Sequence, residues 1–106
     1  MAIPKEIQQQ VYDEVASFNA THFSGKNIEY QANIKGNFVY LSRRSYSVET
    51  KICRLKYTGD LTDWEFAIFK YANDNYDPNE MFFPGMGELD GTLKGAMAAG
   101  MEAYPL

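Results

Sequence analysis

The sequence predicts an α+β domain in the order α-β-β-β-β-α, a four-stranded antiparallel meander with N- and C-terminal helices. Three observations carry that expectation: an apolar stripe of helical period over residues 3–22, paired alternating runs joined by turn residues, and a final segment with methionines four apart beside a row of small side chains. At 106 residues with 45% hydrophobic side chains, the chain reads as one domain, 1–106, able to bury roughly two-thirds of its unfolded surface. It is too apolar for a disordered chain, and no apolar run approaches the roughly 20 residues a membrane helix needs. The N-terminal residues lack the apolar core of a secretory signal, so a cytoplasmic location without a membrane partner is expected.

Ile3, Ile7, Val11, Val15, Phe18 and His22 form one stripe of the first helix, expected from about Pro4 to Phe23. Proline suits a first helical turn because its missing N–H is not needed there, and Gly25 suits the stop. Ile28, Tyr30, Ala32 and Ile34 then alternate with Glu29, Gln31, Asn33 and Lys35, the pattern of a half-buried strand. Gly36-Asn37 reads as a type II′ turn, which returns the chain as Phe38 to Ser45 and sets Lys35 against Phe38, Ile34 against Val39, Ala32 against Leu41 and Tyr30 against Arg43. Thr50 to Thr58 alternates again, and the turn-rich Gly59 to Asp63 leads into Trp64 to Tyr71, pairing Leu55 with Phe66, Cys53 with Ile68 and Ile52 with Phe69. The link Ser45 to Val48 leaves the register between these two hairpins open. The first helix is expected on the face of Ile34, Leu41, Leu55 and Phe66.

Residues 72–91 show no sustained period, and a connection this long usually carries function or folds as a compact surface loop. A short fifth strand over 80–83 is the one regular element the segment suggests. The last helix runs from about Asp90, as N-cap, to Tyr104. Its row Gly91, Gly95, Ala99 and Ala103 implies close packing, since each glycine costs a helix about 1 kcal/mol relative to alanine.

Charge divides along the chain. Residues 1–34 carry a net charge of −2, residues 35–58 a net +5 and residues 59–106 a net −7. The basic segment coincides with the two central strands. Their second face is expected to hold Phe38, Tyr40, Arg44, Ile52, Arg54, Lys56, Phe69 and Tyr71, rings interleaved with cations. Such a face is expected to be covered by the second helix, the long loop or a second copy of the chain, or else to receive a protein partner; stacking rings among basic groups also hold single-stranded nucleic acid, the alternative reading. The overall charge of −4 weighs against nucleic acid. Met81, Phe82 and Phe83 form a second candidate interaction segment.

Catalytic machinery is not expected. Cys53 is the only cysteine and His22 the only histidine, so no disulfide, redox pair or cysteine cage can form within the chain. Asp74 to Glu80 lacks the glycine and terminal glutamate of a calcium loop, and no phosphate-binding glycine motif follows a strand. Neither metal nor cofactor is expected. A third reading, a small enzyme or ligand-binding domain, requires a pocket between the 74–91 loop and the sheet with at least two converging polar groups.

The block Ile52-Cys53-Arg54-Leu55-Lys56-Tyr57, followed by Asp63-Trp64-Glu65-Phe66, Asp90-Gly91-Thr92 and Glu102-Ala103-Tyr104-Pro105, resembles a family of small bacterial proteins with no assigned activity. The resemblance spans about the last half of the chain. It implies a stand-alone cytoplasmic domain and carries over no catalytic or binding residue.

Overall fold

Alternation and turn chemistry build one sheet, and both helices, the second of which the sequence leaves free to dock on either face, pack on the same side of it. The computed structural model describes residues 2–80 and 82–105. Its elements are α1 (Lys5–Phe23), β1 (Ile28–Lys35), β2 (Phe38–Ser45), β3 (Val48–Lys56), β4 (Glu65–Lys70), β5 (Asn75–Asp77) and α2 (Leu93–Ala103), with a short 3-10 turn at Met86–Glu88. The sheet is a fully antiparallel meander in the order β1-β2-β3-β4-β5.

The α+β class and the helix at each end stand, but the sheet has five strands rather than four. The extra strand is at 75–77, not over 80–83, part of which, Met81, lies outside the described residues. Asp74 adopts a left-handed φ of 49° and reverses the chain directly after β4, so Asn75 pairs with Lys70 and Tyr76 with Phe69. At 77–80 a turn follows, with the Glu80 N–H on the Asp77 carbonyl, and the chain leaves the sheet.

Gly36, at φ 60°, makes the tight β1–β2 turn, and the predicted pairs from Lys35–Phe38 through Tyr30–Arg43 all form. Of the expected β3–β4 pairs, Cys53–Ile68 and Leu55–Phe66 form, while Ile52 does not pair with Phe69. Between the hairpins the register resolves in two steps. The Ser45–Val48 link is a two-residue turn with Tyr46 at φ 59°, so β3 begins at Val48 rather than Thr50. Inside β3 the partner of Leu41 is Cys53 and that of Ser42 is Lys51, which leaves Ile52 as the extra residue of a β-bulge. The bulge shifts side-chain parity. Ile52, expected on the second face, is fully buried in the helix-side core, and Lys51 takes the outward position instead.

That core joins Val11, Val15, Phe18 and Phe23 of α1 to Tyr30, Val39, Leu41 and Leu55 of the sheet and to Leu93, Ala96 and Met97 of α2. His22 is exposed at the end of the α1 stripe, stacked on Phe18 with a centroid distance of 4.0 Å, and Phe23 is buried instead. α1 also closes an edge of the sheet: the Asn19 amide donates to the Tyr30 carbonyl at 3.0 Å and accepts from the Tyr30 N–H at 2.7 Å. One side chain thereby stands in for a neighbouring strand.

α2 starts two residues later than expected. Thr92, not Asp90, is the N-cap, its hydroxyl accepting from the Gly95 N–H at 3.1 Å, while Asp90 accepts from the Thr92 N–H and hydroxyl. The small side chains let α2 approach from two directions. A Cβ on Gly95 would lie 2.6 Å from the Glu88 carbonyl oxygen, and one on Gly100 would lie 2.5 Å from both Ile52 Cγ2 and the Tyr30 hydroxyl. That hydroxyl donates to the Met97 carbonyl at 2.7 Å, so it cannot easily yield. Arg43, 4% exposed, donates to the Tyr104 carbonyl and ties the end of the helix to β2.

Gly100→Ala is expected to destabilise the fold by about 1–2 kcal/mol in urea denaturation, overpacking outweighing the alanine's helix propensity. Gly87→Ala, whose Cβ meets nothing within 4 Å, is expected to stay within about 0.5 kcal/mol of the parent.

Candidate functional site: the open sheet face

With both helices on one side, no described helix covers the other face of the sheet. Register and bulge decide what stands there. Phe38, Tyr40 and Arg54 share it by alternation, Phe69 and Tyr76 face each other across β4 and β5, and Lys51 enters through the parity shift at Ile52. The rings form a continuous row. Phe38 and Tyr40 are 6.1 Å apart between centroids, Tyr40 and Tyr76 5.4 Å, and Tyr76 and Phe69 5.0 Å. Over this row sit cations. The Arg54 guanidinium lies 4.7 Å from the Phe38 ring and 5.7 Å from Tyr76, Lys51 lies 5.2 Å from Phe69, and Lys35 lies 6.0 Å from Tyr40. Such contacts stabilise by about 0.5–1 kcal/mol each at exposed positions.

The remaining candidates fall at the margins. Arg44 is exposed and bridges Glu29 at 2.7 Å. Lys56 is exposed beside Glu65 in the register. Tyr71 lies past the end of β4, its hydroxyl donating to the Lys51 carbonyl at 3.1 Å and its ring 5.5 Å from Tyr104. Ile52 is absent from the face. Sequence reasoning missed Lys35, Lys51 and Tyr76. Lys35 was legible from its pairing with Phe38; Lys51 was concealed by the bulge, and Tyr76 by a strand too short to alternate.

Among the described residues, Lys35, Lys51 and Arg54 make no ion pair; the three that form are Arg44–Glu29, Lys70–Asp77 and Lys70–Glu80. A shallow depression of about 330 Å³ lies among Lys35, Tyr40, Ser42, Glu49, Lys51 and Tyr76. Phe69 is only 2% exposed, floored under its neighbours, while Phe38, Tyr40 and Arg54 are half-buried. The face is therefore accessible along its rings and cations but not greasy.

The second candidate segment divides. Phe82 is 87% exposed, whereas Phe83 stacks on Phe66 at 5.6 Å on the helix side, and Met81 lies outside the described residues. Among the described residues no group of three His, Cys, Asp or Glu side chains gathers as a metal site, and no helix is long and apolar enough to cross a membrane.

Burial determines the state of two acids beneath the site. It pushes the Cys53 thiol far above its ordinary 9.0, and it raises the Tyr30 phenol above its ordinary 10.0, with Cys53 adding to that rise and Arg43 opposing it. A buried thiol held protonated is not a nucleophile. Both groups keep their protons in the fold after an unfolded chain would release them, so their contribution is whole below about pH 9 and is lost as pH rises beyond it. Urea midpoints are expected to hold from about pH 7 to 9 and then fall, less steeply in Tyr30→Phe, while Ellman's reagent should reach Cys53 only on unfolding. Comparison with protein-family models, curated proteins and solved structures gives no match to this chain, so its function is read from the sheet face itself.

Proposed function

We propose that the chain is a protein-interaction module whose open sheet face receives an acidic segment of a partner protein. The observation that carries this reading is the pairing of Arg54, Lys51 and Lys35 with aromatic rings rather than with carboxylates. A cation on a ring keeps its charge available, and burying it against a partner is favourable only if that partner brings the counter-charge. Tyrosine, phenylalanine and arginine are also the residues enriched at the centres of protein interfaces. A second copy docked through the same face would set like charges against one another, which favours a different acidic chain over a symmetric dimer. Nucleic acid carries a charge on every residue and so meets the net charge of −4 more severely than a short acidic segment does.

Titration with a fluorescent glutamate–tyrosine copolymer is expected to show binding that weakens with added salt. Arg54→Glu and the exposed Lys51→Glu should each weaken it about fivefold or more, with melting temperatures near the parent's. Tighter binding of oligothymidine than of the copolymer would replace this reading with nucleic-acid binding. Failure of the copolymer to bind at low salt, or indifference to both substitutions, would overturn it.

A further inference from the structure

A separate recess lies on the helix side, where β3 and β4 meet the start of α2 and residues 82–91 fold back. Its walls include the buried Leu55, Trp64 and Ala96 and the half-buried Phe66, its volume is about 290 Å³, and Asp63 and Glu80 line it as well. The loop is fixed there by the Trp64 N–H donating to the Gly91 carbonyl at 2.8 Å and by Phe83 stacked on Phe66. The volume suits a small molecule, close to the lower end of ligand pockets at about 300 Å³.

Its electrostatics select the sign of that molecule. The N-terminus of α2 opens nearby and would ordinarily attract an anion, but Asp90 already occupies it through the Thr92 N–H at 3.0 Å and hydroxyl at 2.6 Å. No lysine or arginine lines the recess, whereas two carboxylates do. Lys70 holds Glu80 by a 2.8 Å contact through one carboxylate oxygen, and the other accepts the Phe82 N–H. Each oxygen retains capacity for a further donor. Beside the carboxylates, the rings of Trp64 and Phe66 line the recess, and an organic ammonium group gains from aromatic neighbours.

We propose that this recess binds a small organic cation, an ammonium group on an aromatic or aliphatic body, with the body among Leu55, Phe66 and Ala96 and the ammonium between Asp63 and Glu80. The site is independent of the sheet face, so either can fail alone. Trp64 is the only tryptophan in the chain, which makes its fluorescence a direct readout. Phenethylamine is expected to change that fluorescence saturably, with a Kd on the order of 1 mM or below. Phenylacetate, of like shape and opposite charge, should bind at least about tenfold more weakly. Asp63→Asn combined with Glu80→Gln should weaken the amine about fivefold, and Asp63→Asn alone, which leaves the Lys70 contact intact, about twofold. A response to the amine that never saturates, equal binding of amine and acid, or an amine affinity unmoved by Asp63→Asn would overturn the proposal.

Discussion

The one-residue bulge opposite Leu41 is the constraint on which both faces of the sheet depend. A strand reads alternately up and down, so a single inserted residue exchanges the two sides for everything that follows it. Here the exchange lets Ile52 and Cys53, adjacent in sequence, both join the core, and it sends Lys51 outward onto Phe69. Had β3 run without a bulge from its pairing at Cys53, Ile52 would have stood among the rings of the open face and Lys51 would have faced the helices. The first would have weakened the core where Gly100 closes on Ile52, and the second would have buried an ammonium without a partner.

From that exchange the division of labour between the faces follows. The helix side is sealed by close approach: α1 closes the β1 edge through Asn19, and α2 settles on Ile52 and Tyr30 because Gly100 has no side chain. Sealing extends to the ends of α2. Gly85, at φ 96°, brings the loop against Ala99, and Arg43 holds the Tyr104 carbonyl. The long connection after β5 is thus largely consumed in covering the helix side, where it also forms the wall of the recess beside Trp64. Among the described residues none of that cover reaches Phe38, Tyr40 or Arg54, and while Arg43 turns to the helix side, Lys35, Lys51 and Arg54 stay on the side without helices.

Much of this was legible in the residues. Strict alternation and Gly36-Asn37 determine the first hairpin to the residue, and the paired apolar positions of Leu55 with Phe66 and Cys53 with Ile68 determine the second. The bulge left a trace as well, two consecutive apolar residues at 52 and 53 between Lys51 and Arg54, but a trace of that kind is shared by any locally irregular strand. What could not be read was set by tertiary placement. β5 exists because Asp74 can turn left-handed and deliver three residues to a waiting edge, and no period appears in three residues. The N-cap lies at Thr92 rather than Asp90 because the Thr92 hydroxyl accepts the Gly95 N–H, while Asp90 accepts the Thr92 N–H and hydroxyl in turn. The candidate site suffered for the same reasons: the rings and Arg54 came from alternation, while Lys51 and Tyr76 depended on the bulge and on β5.

An uncovered face of aromatic rings ordinarily invites aggregation, and the cations answer that risk in a way that also shapes recognition. Arg54, Lys51 and Lys35 lie over the ring row, where their aliphatic stems shield apolar surface and their charges stay in water. An apolar partner would have to displace them and lose the cation–π contacts. A carboxylate-bearing partner need not, because a guanidinium resting on Phe38 and Tyr76 can hold its rings with one side and accept an anion with its N–H edge. The rings also restrict the rotamers of the long side chains beforehand, lowering the ordering cost that binding otherwise incurs by about 0.5–1.5 kcal/mol per side chain. The same contacts that shield the rings would therefore pre-organise the face for the acidic partner proposed above, and would select against apolar partners.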